Sequence, residues 1–388
     1  MYSELSDAIQ SVLETWSQKS DVAKQKGGNP HLEAAIVYLC TLLRELVIYV
    51  DCRQKLISLR TTLHKNVFEA SVQMLDEGLK QLDIVSRSLS RVNHPLLLQL
   101  GQNMSIEVEI YRKLLKVELN IFTFDSNAAI FWFRSADLEL QSCASKFVFV
   151  KDNTETSVFL DTSLYRWYVS FRNHLFAKMQ LYFQDFRLKH PPVENDPFMT
   201  GAGAELKFHE MIVEFLAQTN CFNVSLVLKP PRAQMTGKSS WAPIYTFPHK
   251  EAPVDHWPNI ISLYQDHSQM LEKAPVLNSQ MVTNSQNEKP LMERHRPEDI
   301  PLPILHYYDT GVKTTYFIAK LQAKILIVVI FEGEKLEDDP EVNIFIKRLY
   351  AKLRYSQMLQ SVLLSQNSFS SQNSTPTPPL PSGSEVIP

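Results

Sequence analysis

Only four cysteines occur in 388 residues, Cys40, Cys52, Cys143 and Cys221, and no two of them form a Cys-x-x-Cys pair. That spacing excludes a zinc ribbon and a secreted disulfide framework; it points to a reducing compartment, with the thiols serving as small buried hydrophobes. A basic excess is missing too. Lys and Arg number 39 against 42 Asp and Glu, a formal charge of −3, whereas nucleic-acid binders need surplus cations to hold a phosphate backbone. The longest apolar run, ILIVVIF at 325–331, falls far short of the roughly 20 residues that span a bilayer. The N-terminus, MYSELSDAIQSVLETW, lacks the basic and apolar regions of a secretory signal. The expectation is a soluble, cytoplasmic chain that meets membranes only through partners. On that reading the Asn-x-Ser/Thr matches at Asn103, Asn223 and Asn373 carry no glycosylation meaning.

What is present is apolar periodicity. With 44% hydrophobic residues, the length allows two or three domains of roughly 100–200 residues, each with a core. After Gly27-Gly28-Asn29-Pro30, a helix is expected with Asn29 as N-cap and Pro30 in its first turn. Leu32, Ile36, Leu39, Leu43, Leu46 and Val50 form its buried stripe. A second register opens near Asn66, with Glu69 as capping-box partner, and runs through Phe68, Val72, Leu75, Leu79, Leu82 and Leu89 to the stop at Asn93-His94-Pro95. Leu100, Met104, Val108, Tyr111 and Leu115 mark a third helix, which restarts after Asp125-Ser126 through Ile130, Phe133 and Leu140. A fourth stripe is Leu164, Tyr168, Phe171, Leu175, Met179, Tyr182 and Phe186. Helices with single apolar faces bury them against one another, so residues 1–188 are expected to form an antiparallel bundle.

The Pro- and Gly-rich stretch 189–203 is the expected linker. Beyond it, a helix at 204–219 leads into a strand, FNVSLVLK, and a further strand is expected in HWPNIISLY at 256–264. Residues 265–300 read as a mobile insertion. Strands at 304–309, 314–321 and 325–332 follow, then an amphipathic helix at 340–364 carrying Val342, Phe345, Ile346, Leu349 and Leu353. The tail 365–388 has almost no hydrophobes and reads as disordered. The fold class is therefore α + α/β: a helical bundle followed by a roadblock/longin-like α/β sandwich at 204–364.

Asp309-Thr310-Gly311 is the tripeptide that carries the catalytic carboxylate of aspartic peptidases. A pepsin-type site needs two such aspartates sharing a proton, and this chain has one copy. Between two β-prone runs, the tripeptide suits a tight hairpin in which Gly311 supplies a positive φ. Gln234-Met-Thr-Gly-Lys-Ser239 is similar to the end of a phosphate loop, but its first glycine would fall at Arg232. His249, Asp255 and His256 are scattered over a Pro-rich loop without metal-ligand spacing, and His174 reads as a structural or surface histidine. Thr375-Pro-Thr-Pro-Pro-Leu-Pro381 offers a polyproline segment with two Thr-Pro sites. Ile130, Phe131, Trp132 and Phe133 cannot all face one side of a helix, so some aromatic surface is left for a partner or the second domain. No catalytic, cofactor-binding or metal-ligating residue is assigned.

Several pieces together, VNHPLL (92–97), FNVSLVL (222–228), HWPNII (256–261), LHYYDTGVKTTYFIAK (305–320) and ILIVVIFE (325–332), resemble the family of the second subunit of the KICSTOR complex. The resemblance covers about residues 60–355. It implies a non-enzymatic subunit of a lysosomal scaffold, alongside a kaptin-like protein, an FG-GAP repeat protein and a large seizure-threshold protein. It further implies recruitment of a GATOR-type GTPase-activating complex and restraint of TORC1 signalling when nutrients are scarce. Against the family pattern, this chain starts inside the bundle, its 265–300 insertion is long, and its Pro-rich tail is its own. The competing readings are a longin-type trafficking adaptor and an aspartic peptidase using Asp309. A homodimer through the sheet edge is left open.

Overall fold

Proline in the first turn of a helix loses no hydrogen bond, and helix α2 begins at Pro30 and runs to Lys65 (Pro30–Lys65), as expected. The computed structural model describes residues 2–25, 30–65, 72–147, 163–183, 186, 207–229, 241–248, 253–272, 301–322 and 324–353. The expected linker at 189–203, the tail at 365–388, the Asn66/Glu69 capping box, the 234–239 run, His249, residues 273–300 of the insertion and residues 354–364 of the last helix lie outside them.

A helix α1 (Tyr2–Gln25), which the periodicity reading did not assign, packs along α2. The bundle continues through α3 (Val72–Leu89), α4 (Leu98–Thr123), α5 (Ser126–Phe147) and α6 (Ser163–Tyr182). The boundary between α4 and α5 falls at Asp125, whose Oδ1 accepts the Ala128 amide at 2.9 Å. Phe124 closes α4 in the left-handed region at φ 62°. Where described, each expected stripe is buried or half-buried, with two exceptions; Phe68 lies outside the described residues. Leu32, in the first turn of α2, and Leu100, in the first turn of α4, are exposed. Helix α6 is enclosed on nearly every side: besides its apolar stripe it buries Arg172, Asn173, His174 and Lys178. Cys40, Cys52, Cys143 and Cys221 are all buried, as expected of small hydrophobes.

The second half runs α7 (Phe208–Thr219), β1 (Asn223–Leu228), β2 (Ala242–Phe247), a 3-10 turn (Val254–His256), α8 (Trp257–Leu271), β3 (Ile304–Asp309), β4 (Thr314–Gln322), β5 (Ile325–Glu332) and α9 (Pro340–Leu353). The five strands form one antiparallel sheet in the order β2-β1-β5-β4-β3. Its central strand β5 is buried from Ile325 through Phe331, so one face takes Ile325, Ile327, Val329 and Phe331 and the other Leu326, Val328 and Ile330. Helix α8 covers the second face; α6, α7 and α9 cover the first. On that first face Phe215 of α7 stacks flat on Phe345 of α9 at 3.9 Å. One cluster of buried apolar residues runs without a break from α2–α6 into this face of the sheet.

Two sequence expectations are overturned here. HWPNIISLY is a helix, not a strand: Pro258 sits in its first turn, and Ile260, Leu263, Tyr264 and Leu271 recur on one face with helical spacing. A short apolar run does not distinguish the two states by itself. The missing strand is APIYTF at 242–247, where Pro243 inside it, Pro248 just after it and partial exposure hide the strand pattern at a sheet edge. Residues 265–271, expected to open the insertion, complete α8.

Candidate interaction surface

The Asp309 hairpin is built by local hydrogen bonding. Asp309 pairs with Thr314, leaving 310–313 as the loop, and Asp309 Oδ1 accepts the amides of Gly311 at 2.9 Å and Val312 at 3.4 Å. The positive φ expected of Gly311 belongs instead to Lys313, at 51°. A Cβ on Gly311 would lie 3.3 Å from Asp309 Oδ1, so here glycine serves the close approach of the carboxylate. The second oxygen, Oδ2, accepts Asn259 Nδ2 of α8 at 3.0 Å. Asn259 also donates to the Tyr316 hydroxyl at 3.4 Å, and His256 Nδ1 lies 2.7 Å from that hydroxyl. Both carboxylate oxygens therefore hold the turn and the helix above it. Asp255 is exposed beside His256, and among the described residues no group of three or more metal-ligating side chains converges.

Other charged clusters are equally committed to the fold. Glu107 of α4 receives Arg53 Nη1 at 2.7 Å and Arg60 Nη2, while the Arg60 guanidinium lies 5.2–5.8 Å from the ring centres of Tyr111, Trp167 and Tyr168. Lys178 Nζ meets Glu118 Oε1 at 2.6 Å with both side chains buried. His174, expected as a structural or surface residue, is fully buried, and its Nε2–H donates to the Leu353 carbonyl at 3.3 Å, tying α6 to the end of α9. Burial and the neighbouring Lys178 charge hold its imidazole well below the usual 6.5. On the other face of the sheet, Glu272 accepts Lys229, Lys320 at 2.5 Å and the Tyr264 hydroxyl at 2.8 Å. Partial burial raises its carboxyl, but those three hydrogen bonds outweigh it and bring it down to about 2.

What the molecule offers to others is apolar surface. On α5 the expected aromatic surplus is real: Phe133 is buried, Trp132 is half-buried beneath Lys116 Nζ at 3.8 Å, and Phe131 stands 62% exposed. Leu138, two turns on, is exposed on the same side. Sequence reading missed a second patch, where α2 passes the corner joining α3 to α4. There Val37, Tyr38, Leu96, Leu98 and Leu100 are all exposed. The available signal was PLLLQL, whose leucines alternate across a helix start so that Leu97 and Gly101 turn inward while their neighbours cannot. The corner itself is fastened: Glu45 Oε2 accepts the amides of Asn93 at 2.6 Å and His94 at 2.5 Å. No helix among the described residues is long and apolar enough to cross a membrane.

Comparison with known proteins places these features. A family model described as "KICSTOR complex C12orf66 like" matches residues 3–280 and 292–365. "KICSTOR subunit 2" of Danio rerio is 24% identical over 361 residues, covering 87% of this chain and 73% of the relative. The protein of the same name from Xenopus laevis is 25% identical over 370 residues, covering 87% and 74%. With both halves of the fold inside the match, the chain belongs to the KICSTOR complex C12orf66-like family.

Proposed function

We propose that this chain is a non-enzymatic scaffold or adaptor subunit of a KICSTOR-like complex. In this reading it helps recruit a GATOR-type GTPase-activating complex to the lysosomal surface and restrains TORC1 signalling in nutrient scarcity. The observation that carries it is the family match over residues 3–280 and 292–365. The commitment of Asp309, Glu107, Glu118 and Glu272 to structural hydrogen bonds, and the exposed apolar side chains of α5 and the α3–α4 corner, support an assembly role. We read residues 204–364 as a roadblock-like domain joined to the 1–188 bundle through 189–203. The element order α-β-β-α-β-β-β-α around a β2-β1-β5-β4-β3 sheet supports that reading.

Affinity purification of the tagged full chain from cells, with mass spectrometry, tests it. Recovery of kaptin-like, FG-GAP repeat and large seizure-threshold partners together with GATOR subunits is expected. An intact chain that recovers none of them overturns it.

A further inference from the structure

The corner between α3 and α4 is a step. Cys52 Sγ contacts the Val85 carbonyl at 3.9 Å, and Glu45 binds the amides of Asn93 and His94, so α2 and α3 run antiparallel with the corner level with residues 38–45. Above that level α2 continues as one helix from Tyr38 back to Pro30, a rise of about 12 Å. There it packs on α1 through Leu13, Ile36 and Cys40. The projecting hairpin is the riser, showing Val37 and Tyr38; Leu96 and Leu100 are the tread.

Charge next to the corner is mainly basic. Residues 84–106 contain Arg87 and Arg91 and no Asp or Glu; residues 30–50 contain Arg44 and two carboxylates, Glu33 in the first turn of α2, away from the corner, and Glu45, which is spent on the corner amides. All three arginines are exposed, in a chain whose formal charge is −3. A buried donor adds to them. His94 is only 4% exposed, and its Nδ1 accepts the Leu96 amide at 3.2 Å, so the ring proton sits on Nε2. That Nε2–H has no acceptor among the described residues, and the ring lies 4.4 Å from the half-exposed ring of Tyr38. A buried donor left without an acceptor is costly; a small movement of Tyr38 would open it to an incoming carboxylate.

We propose that this step receives an acidic, amphipathic helical segment of a partner protein. Its apolar side chains lie on Tyr38, Leu96 and Leu100, and its carboxylates meet Arg44, Arg91 and the His94 Nε2–H. A re-entrant step suits a helix laid into the angle, whereas a lipid surface prefers a convex, freely inserted face. The inference stands on this geometry and charge whether or not the KICSTOR reading holds.

The test uses the purified full chain and fluorescence anisotropy with a labelled leucine/glutamate helical peptide of about 18 residues, and its leucine/lysine counterpart. Binding of the glutamate peptide only is expected. Leu96→Ser, at a side chain 65% exposed and so tolerated by the fold, weakens it about tenfold, as expected for one leucine side chain returned to water. Arg91→Glu weakens it at least as much, with the difference shrinking as salt is raised. Phe131→Ser, on α5, leaves it unchanged. In a histidine-labelled chain the His94 Nε2 resonance moves on titration. Equal binding of the two peptides, no binding, or indifference to Leu96→Ser and Arg91→Glu overturns the proposal. Co-sedimentation with phosphatidylserine vesicles that Leu96→Ser abolishes, without peptide binding, replaces the partner with a lipid surface. A dimer in analytical ultracentrifugation that Leu96→Ser dissolves replaces it with a second copy.

Discussion

Lys178 of α6 and Glu118 of α4 meet at 2.6 Å with side chains 2% and 3% exposed, an ion pair sealed inside the bundle. Removing one partner leaves the other charge buried and uncompensated, which costs about 3–5 kcal/mol. Glu118→Leu alone or Lys178→Met alone is expected to lower unfolding stability by that amount in urea titrations. The double substitution is expected to recover most of the loss, because two apolar side chains of similar volume need no compensation.

His174 lies one turn from Lys178 on α6, and its imidazole is held well below 6.5 in the folded chain. The unfolded chain takes up a proton as pH falls through 6.5 and the folded chain does not, so stability is full above 6.5 and declines below it. The slope is about 1.4 kcal/mol per pH unit. Thermal unfolding of the native chain between pH 7.5 and 5.5 is expected to show this decline, and His174→Phe to flatten it.

Glu272 gives a separate window. Its carboxyl is about 2 when folded against 4.5 for the free group, so its contribution is present above 4.5 and is lost as pH falls toward 2. Glu272→Gln is expected to lower stability at neutral pH and to remove part of the acid sensitivity between those values. Far-ultraviolet circular dichroism across an acid titration reads both effects.

Asp309 accepts three hydrogen bonds, from Gly311, Val312 and Asn259. Asp309→Ala is therefore expected to destabilise the fold by about 1–3 kcal/mol. Asn259→Ala is expected to cost less, since it leaves the two turn amides satisfied. Urea midpoints of the two variants, at unchanged denaturant slope, check the ranking.

Burial raises the Cys52 thiol to about 11 and the Cys221 thiol to about 12. Little thiolate exists at neutral pH, so both are expected to react with a disulfide reagent only after denaturant is added. Mass mapping of the modified peptides under native and denaturing conditions distinguishes them.

Helices α2 to α6 of the bundle and strands β1, β3, β4 and β5 were legible because each carries a long period, helical or alternating, or an unbroken β-branched run, whereas α1 was not assigned. The family was legible because several short pieces recur in order. Legibility failed where local signals are degenerate. HWPNIISLY fits either state over nine residues, and its helix is chosen by the apolar face of the sheet that Ile260, Leu263 and Tyr264 cover. Strand β2 exists because its backbone pairs with β1, a partner no local pattern reveals. Of the candidate surface, Phe131 was foreseeable from four consecutive apolar residues on one helix; Tyr38 and Leu100 were assigned to no surface, because helical spacing says which residues share a face and not what lies opposite it.

Sequence alone determined the class of the protein: helices first, a small antiparallel sheet after, no basic surplus, and an Asp-Thr-Gly without its second aspartate. Those properties rest on residue identity and spacing within a few turns of chain. Tertiary structure decided which charges are neutralised, which helix is enclosed and which apolar residues stay in water. Glu107 finds its cations 54 and 47 residues away, Glu118 60, and Glu272 43 and 48. Leu96 and Leu100 remain exposed because α2 passes beside them and nothing else in the described chain lies across them. Desolvation and pairing depend on the surroundings in space, and only the folded chain supplies those.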